Sequence, residues 1–95
     1  MQTNQEKTAQ LLADSHFAFI NSQNSEALHL ANEAMRLAPK NPDAYQCAGN
    51  AYMSLGDYNK AVENYALAVK YDSNNGNRYY DLALPSLLTK KQRTL

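Results

Sequence analysis

Glycine and proline are scarce in this chain, three of each in 95 residues, tryptophan is missing, and there is one cysteine. So few backbone breakers exclude a low-complexity or collagen-like segment, and 44% hydrophobic against 19% charged residues fits a folded chain rather than a disordered one. A lone Cys47 cannot form an intramolecular disulfide, which excludes a disulfide-stapled secreted scaffold and favours a reducing compartment. Apolar runs such as Phe17 to Ile20 stay far short of the roughly 20 residues that span a bilayer, and MQTNQEKTAQ lacks the basic and apolar regions of a secretory signal. No membrane association is expected, and the expected location is cytoplasmic. Nine basic and nine acidic residues leave no net charge to steer the chain toward nucleic acid. From Arg78 onward, however, Arg78, Lys90, Lys91 and Arg93 face Asp81 alone, which reads as a basic tail on a mildly acidic body.

What is present is helical periodicity. Asn4 can cap a first helix over about Gln5 to Asn21, whose apolar residues Leu11, Leu12, Phe17, Phe19 and Ile20 cover more than one face. The NSQNS cluster from Asn21 to Ser25 reads as a turn, with Ser25 capping a second helix, Glu26 to Leu37, that aligns Ala27, Leu30, Ala31, Ala34 and Leu37 on one side. Pro39 stops it, and Asn41 with Pro42 starts a third helix to Leu55. There Tyr45, Ala48, Gly49 and Tyr52 stand at i, i+3, i+4 and i+7, and the propensity lost at Gly49 implies a close backbone contact. Gly56 ends the third helix in a left-handed turn, and Asp57 caps a fourth bearing Tyr58, Ala61, Val62, Tyr65, Ala68 and Val69. A fifth helix with Tyr79, Leu82 and Ala83 meets Pro85, where a break near Leu84 is expected, or where Pro85 could open a short sixth helix.

A shift of 34 residues lays Ala27 on Ala61, Ala34 on Ala68, and Leu11 on Tyr45 and Tyr79. Residues 41–75 carry the pattern most fully and resemble one tetratricopeptide repeat, a family whose repeat is a 34-residue helix–turn–helix. Tyr45 stands where that family usually has Trp, Ala48 where it has Leu, and Ser73 where it has the closing Pro. The resemblance implies an all-α fold of antiparallel helix–turn–helix repeats stacked as a short right-handed superhelix. It would have about five helices and room for a short sixth. The expected units are a divergent first repeat over 5–40, the central repeat over 41–75, a capping helix over 76–89 with the break near Pro85, and a basic tail over 90–95. An ordinary antiparallel bundle without repeat ancestry is the alternative.

In this family the concave groove is lined mainly by the first helix of each pair. Carried over by alignment, the groove positions are Leu12, His16, Phe19, Gln46, Asn50, Met53, Tyr80 and Leu84, an apolar surface with a few amides. The resemblance thus implies a non-catalytic adaptor or scaffold that takes a peptide or amphipathic helix of a partner protein. Leu12, Phe19 and Leu84 could instead be core, and the alternative function is self-assembly through the apolar first and last helices. The positions with which some members clamp a C-terminal carboxylate hold Leu12, His16, Cys47, Asn77 and Asp81, which supply no cation.

No enzymatic site is expected. Asp14, Ser15 and His16 are the residue types of a hydrolytic triad, but neighbours on a helix point about 100° apart. His16 and His29 lack partners at ligand spacing, so neither metal nor cofactor is called for. Cys47 reads as a small buried residue rather than a nucleophile, and the single glycines form no phosphate loop. Lys90, Lys91 and Arg93 without an aromatic platform give weak, salt-sensitive phosphate contacts at most, so nucleic acid is a minor hypothesis.

Overall fold

Four helices follow one another, α1 (Asn4–Ile20), α2 (Asn24–Leu37), α3 (Pro42–Leu55) and α4 (Tyr58–Tyr71). The computed structural model describes residues 3–76 together with Arg78, Asp81, Leu82 and Pro85. Among these every regular element is an α-helix. Helix α1 packs on α2 and α3 on α4, and α3 also lies against both α2 and α1. Of the residues expected in the fifth and sixth helices, Gly76, Arg78, Asp81, Leu82 and Pro85 are described and have helical backbone; the others, with the expected break near Leu84 and the tail over 90–95, lie outside the described residues.

Two helix starts differ from the sequence reading. Helix α1 is capped by Thr3, not Asn4: the Thr3 hydroxyl accepts from the Glu6 amide at 3.1 Å while the Glu6 carboxylate takes the Thr3 amide at 3.4 Å. Only Thr3 has an acid three residues on to complete this reciprocal box. Helix α2 begins at Asn24 with no side-chain cap, so Ser25 sits in its first turn. The reason is the tight end of α1: Ser22 takes a left-handed φ of 62° and the Gln23 amide reaches back to the Ala18 carbonyl at 2.8 Å. That closure is complete by Gln23, and the next helix starts at once.

The central pair follows its local chemistry closely. The Asn41 side chain accepts from the Asp43 amide at 2.9 Å, Pro42 occupies the first turn, Gly56 closes α3 at φ 82°, and Asp57 accepts from the Lys60 amide at 3.3 Å. Helices α2 and α4 start and end 34 residues apart. Their buried residues correspond too, Ala27, Ala31 and Ala34 with Ala61, Tyr65 and Ala68.

The core is built largely of alanine: Ala18, Ala27, Ala31, Ala34, Ala44, Ala48, Ala51, Ala61 and Ala68 are buried, with Tyr65 the one large apolar side chain among them. Methyl-lined faces let helices approach closely, but each contributes only about 0.8 kcal/mol of burial against roughly 1.5–3 for a Leu or Val. Half-buried Leu, Val and Tyr side chains at the rims therefore carry much of the stability. Where α3 sets Ala44, Ala48 and Ala51 in the interior, the same positions on α1 are Gln10, Asp14 and Phe17, all exposed. Helix α1 has no helix before it among the described residues, and Phe17 stays 68% and Ile20 63% exposed. Gln10 donates to Asp14 across this outer face at 3.0 Å.

Candidate functional site

A cleft of about 800 Å³ opens between α1 and α3, closed at one end by the α2–α3 connection. Its volume lies within the roughly 300–1,000 Å³ common for ligand sites. From α3 it takes Asp43, Gln46, Cys47 and Asn50, the i, i+3, i+4, i+7 set of one helical face. From α1 come Gln5, Thr8, Ala9, Leu12, Ala13 and His16 at the same spacing, with Asn4 at the entry and Leu37, Ala38 and Asn41 from the connection.

Of the residues expected in the groove, Leu12, His16, Gln46 and Asn50 are thus brought together. Phe19, with Ser15, lines a shallow recess that shares His16, Cys47 and Asn50 with the cleft and so borders it. Met53 is half-buried and does not line either space, while Tyr80 and Leu84 lie outside the described residues. Carboxamides of Asn4, Gln5, Asn41, Gln46 and Asn50 line the cleft beside the apolar side chains of Ala9, Leu12, Ala13, Leu37 and Ala38.

Two of those amides are fixed from behind. The buried Tyr65 hydroxyl donates to Asn50 Oδ1 at 2.6 Å, and the Tyr65 ring lies close against Gly49, where an added Cβ would stand 2.5 Å from Cδ1 and Cε1. This is the close contact that the glycine implied. In the first pair the equivalent positions are Ser15 and Ala31, where a larger residue replaces Gly and a smaller one replaces Tyr. Burial, with the Asp81 charge added, raises the Tyr65 phenol above its ordinary range. Gln46 donates to Asp81 Oδ2 at 2.8 Å and accepts from Arg78 Nη1 at 3.2 Å.

Arg78 corrects one sequence expectation outright. It is 8% exposed, and its guanidinium also binds Asp43 at 2.6 Å and Asp72 at 3.0 Å, so it belongs to the body and not to a basic tail. Burial alone would lower its pKa, but the hydrogen bonds and charges of Asp43 and Asp72 outweigh burial and raise it. An isolated Arg in a charged C-terminal region gives no sequence signal for this; only the fold joins it to acids 35 and six residues away.

The catalytic candidates point apart. Ser15 is buried and its hydroxyl donates to the Ala27 carbonyl at 2.7 Å, Asp14 is engaged by Gln10, and His16 faces the cleft. Desolvation pushes the Cys47 thiol up, only partly opposed by the nearby Ser15 hydroxyl and Arg78 charge, which disfavours the thiolate that a nucleophile requires. His29 is exposed. No helix among the described residues is long and apolar enough to cross a membrane.

Two family models match the sequence: one described as TPR repeat over residues 49–84, and one described as tetratricopeptide repeat over residues 30–63. Together they span 30–84, more than half the chain. No curated protein matches it.

Proposed function

The chain is a tetratricopeptide-repeat protein, and from that premise we propose that it is a non-catalytic adaptor that holds a peptide or helix of a partner protein in the α1–α3 cleft. Repeats of this family generally mediate protein–protein interaction. The observation that carries the reading is the cleft itself, formed by one face of α1 and one face of α3 and sized for a few side chains. Neutral carboxamides there can both donate to and accept from a peptide backbone, and Leu12, Ala9, Ala13 and Leu37 supply apolar contact. The groove we propose comprises Leu12, His16, Phe19, Gln46, Asn50 and Met53, with Tyr80 and Leu84 continuing it. In this reading the residues after Asn75 close the stack as a capping helix, the short superhelix has about five helices, and the protein works in the cytoplasm. The test is partner capture from the native cell by chemical crosslinking. His16→Glu should lose the captured protein while keeping wild-type helicity; retention would move the site elsewhere.

A second reading is self-assembly. Phe17 and Ile20 lie three residues apart on α1 and are both more than 60% exposed, an apolar pair with no cover among the described residues. Solution mass measured against concentration decides it, since a strict monomer at high concentration removes this reading.

A further inference from the structure

Arg78 and Asp81 lie next to the cleft without lining it, yet they occupy the polar atoms of residues that do. Gln46 lines the cleft, and its carboxamide is used at both ends: the oxygen accepts from Arg78 and the nitrogen donates to Asp81. Asp43 also lines the cleft, stays 63% exposed at its side chain, and is bound by the same guanidinium at 2.6 Å. Arg78 is anchored from the opposite side by Asp72, at the end of α4. One buried side chain thus joins the start of α3, the end of α4 and the wall of the cleft.

We propose that Arg78 is a latch on the cleft: its docking and the use of Gln46 and Asp43 by any ligand are thermodynamically linked. A ligand that hydrogen-bonds the Gln46 carboxamide competes with Arg78 and Asp81, so its binding favours their release. Conversely, loss of Arg78 leaves the Asp43 carboxylate without its guanidinium partner and frees the Gln46 carboxamide oxygen, while the nitrogen still donates to Asp81. Linkage of this kind is reciprocal, so a change that loosens Arg78 tunes cleft occupancy without touching the ligand. The latch rests on the cleft as the binding surface only for this consequence; the opening itself is a property of the chain.

Cys47 makes the opening measurable without a ligand. It is the one cysteine in the chain, it is half-buried, it lines the cleft, and it is adjacent to Gln46. The experiment is the rate at which a dithiodipyridine reagent labels Cys47 in the folded full-length chain, wild type against Arg78→Met and Arg78→Lys. The Leu28→Ala variant serves as a comparator that loosens the Ala18, Ala27 and Ala51 cluster instead. Because the Arg78 charge itself lowers the Cys47 thiol pKa, rates are compared as pH-independent thiolate rate constants taken from pH profiles, at denaturant concentrations giving equal folded fractions by circular dichroism. Arg78→Met should label about tenfold faster than Leu28→Ala, the factor that corresponds to ~1.4 kcal/mol of opening. Arg78→Lys should fall between, because one ammonium cannot span the acceptors that the guanidinium fork reaches. Equal rates for Arg78→Met and Leu28→Ala at equal folded fraction overturn the latch. That outcome leaves partner binding at the cleft intact, whereas retention of partner by His16→Glu overturns the binding site and leaves the labelling result unchanged.

Discussion

Substituting Gly49 by alanine should destabilise the protein even though alanine is the better helix former. On propensity alone the exchange favours the folded state by about 1 kcal/mol. The built methyl, however, stands 2.5 Å from Tyr65 Cδ1 and Cε1 and 3.1 Å from Cγ. The ring cannot simply swing aside, since Tyr65 is 4% exposed and its hydroxyl is held by Asn50 at 2.6 Å. Overpacking a filled interior costs roughly 1–3 kcal/mol, and displacing the ring adds about 1 kcal/mol for the Tyr65–Asn50 bond. Against the propensity gain, the net loss is about 1–3 kcal/mol. In a domain of this size each 1 kcal/mol lowers Tm by roughly 4–8 °C. Thermal and urea unfolding followed by circular dichroism measure it. The double variant Gly49→Ala with Tyr65→Leu should lose less than the sum of the two single changes, because removing the ring relieves the clash. A neutral or stabilised Gly49→Ala, or strict additivity in that pair, refutes the close-packing argument.

Other outcomes follow from individual contacts. Thr3→Ala removes the capping box of α1 and should cost about 1 kcal/mol in urea unfolding. Native Cys47 should react with disulfide reagents well below the rate of the urea-unfolded chain at pH 8, since burial raises its thiol pKa in the fold. Burial, with the Asp81 charge added, likewise raises the Tyr65 phenol above the ordinary tyrosine value of about 10, so the unfolded chain gives up that proton first. Its stabilising contribution is complete below pH 10 and declines as pH rises above it, and Tyr65→Phe should flatten that alkaline slope in pH-dependent urea titrations. Tyr45→Phe removes the hydroxyl that donates to the Pro39 carbonyl at 2.6 Å while keeping the ring stacked on Tyr71 at 5.6 Å. It should cost about 1 kcal/mol and no helicity.

The helices were legible because their signals are local. Asn41, Pro42, Gly56 and Asp57 each act on a neighbouring backbone, and the structure uses all four as read. At the start of α1 two short polar residues, Thr3 and Asn4, compete for one cap, and at α2 the tight turn through Ser22 starts the helix at Asn24 before Ser25 can cap it. The helical repeat was legible from its period, and α2 and α4 reproduce it residue for residue. The cleft was half legible. Leu12, His16, Gln46 and Asn50 lie on the expected stripe, and extending it toward the helix starts reaches Gln5, Ala9 and Asp43. Arg78 was not legible, since a buried arginine is defined by its partners, and Asp43 and Gln46 are more than 30 residues distant.

The central claim is that a partner protein enters the α1–α3 cleft, and a paired substitution tests it most directly. His16 lines the cleft and is exposed, and Phe17, the next residue, projects from the outer face of α1. Affinity of the crosslink-identified partner would be measured by calorimetry for His16→Glu and Phe17→Ser, each checked for wild-type helicity. The account predicts that His16→Glu weakens binding at least tenfold, equivalent to ~1.4 kcal/mol, while Phe17→Ser leaves it unchanged. The reverse pattern, with Phe17→Ser losing the partner and His16→Glu keeping it, would contradict the account and place recognition on the outer face of α1.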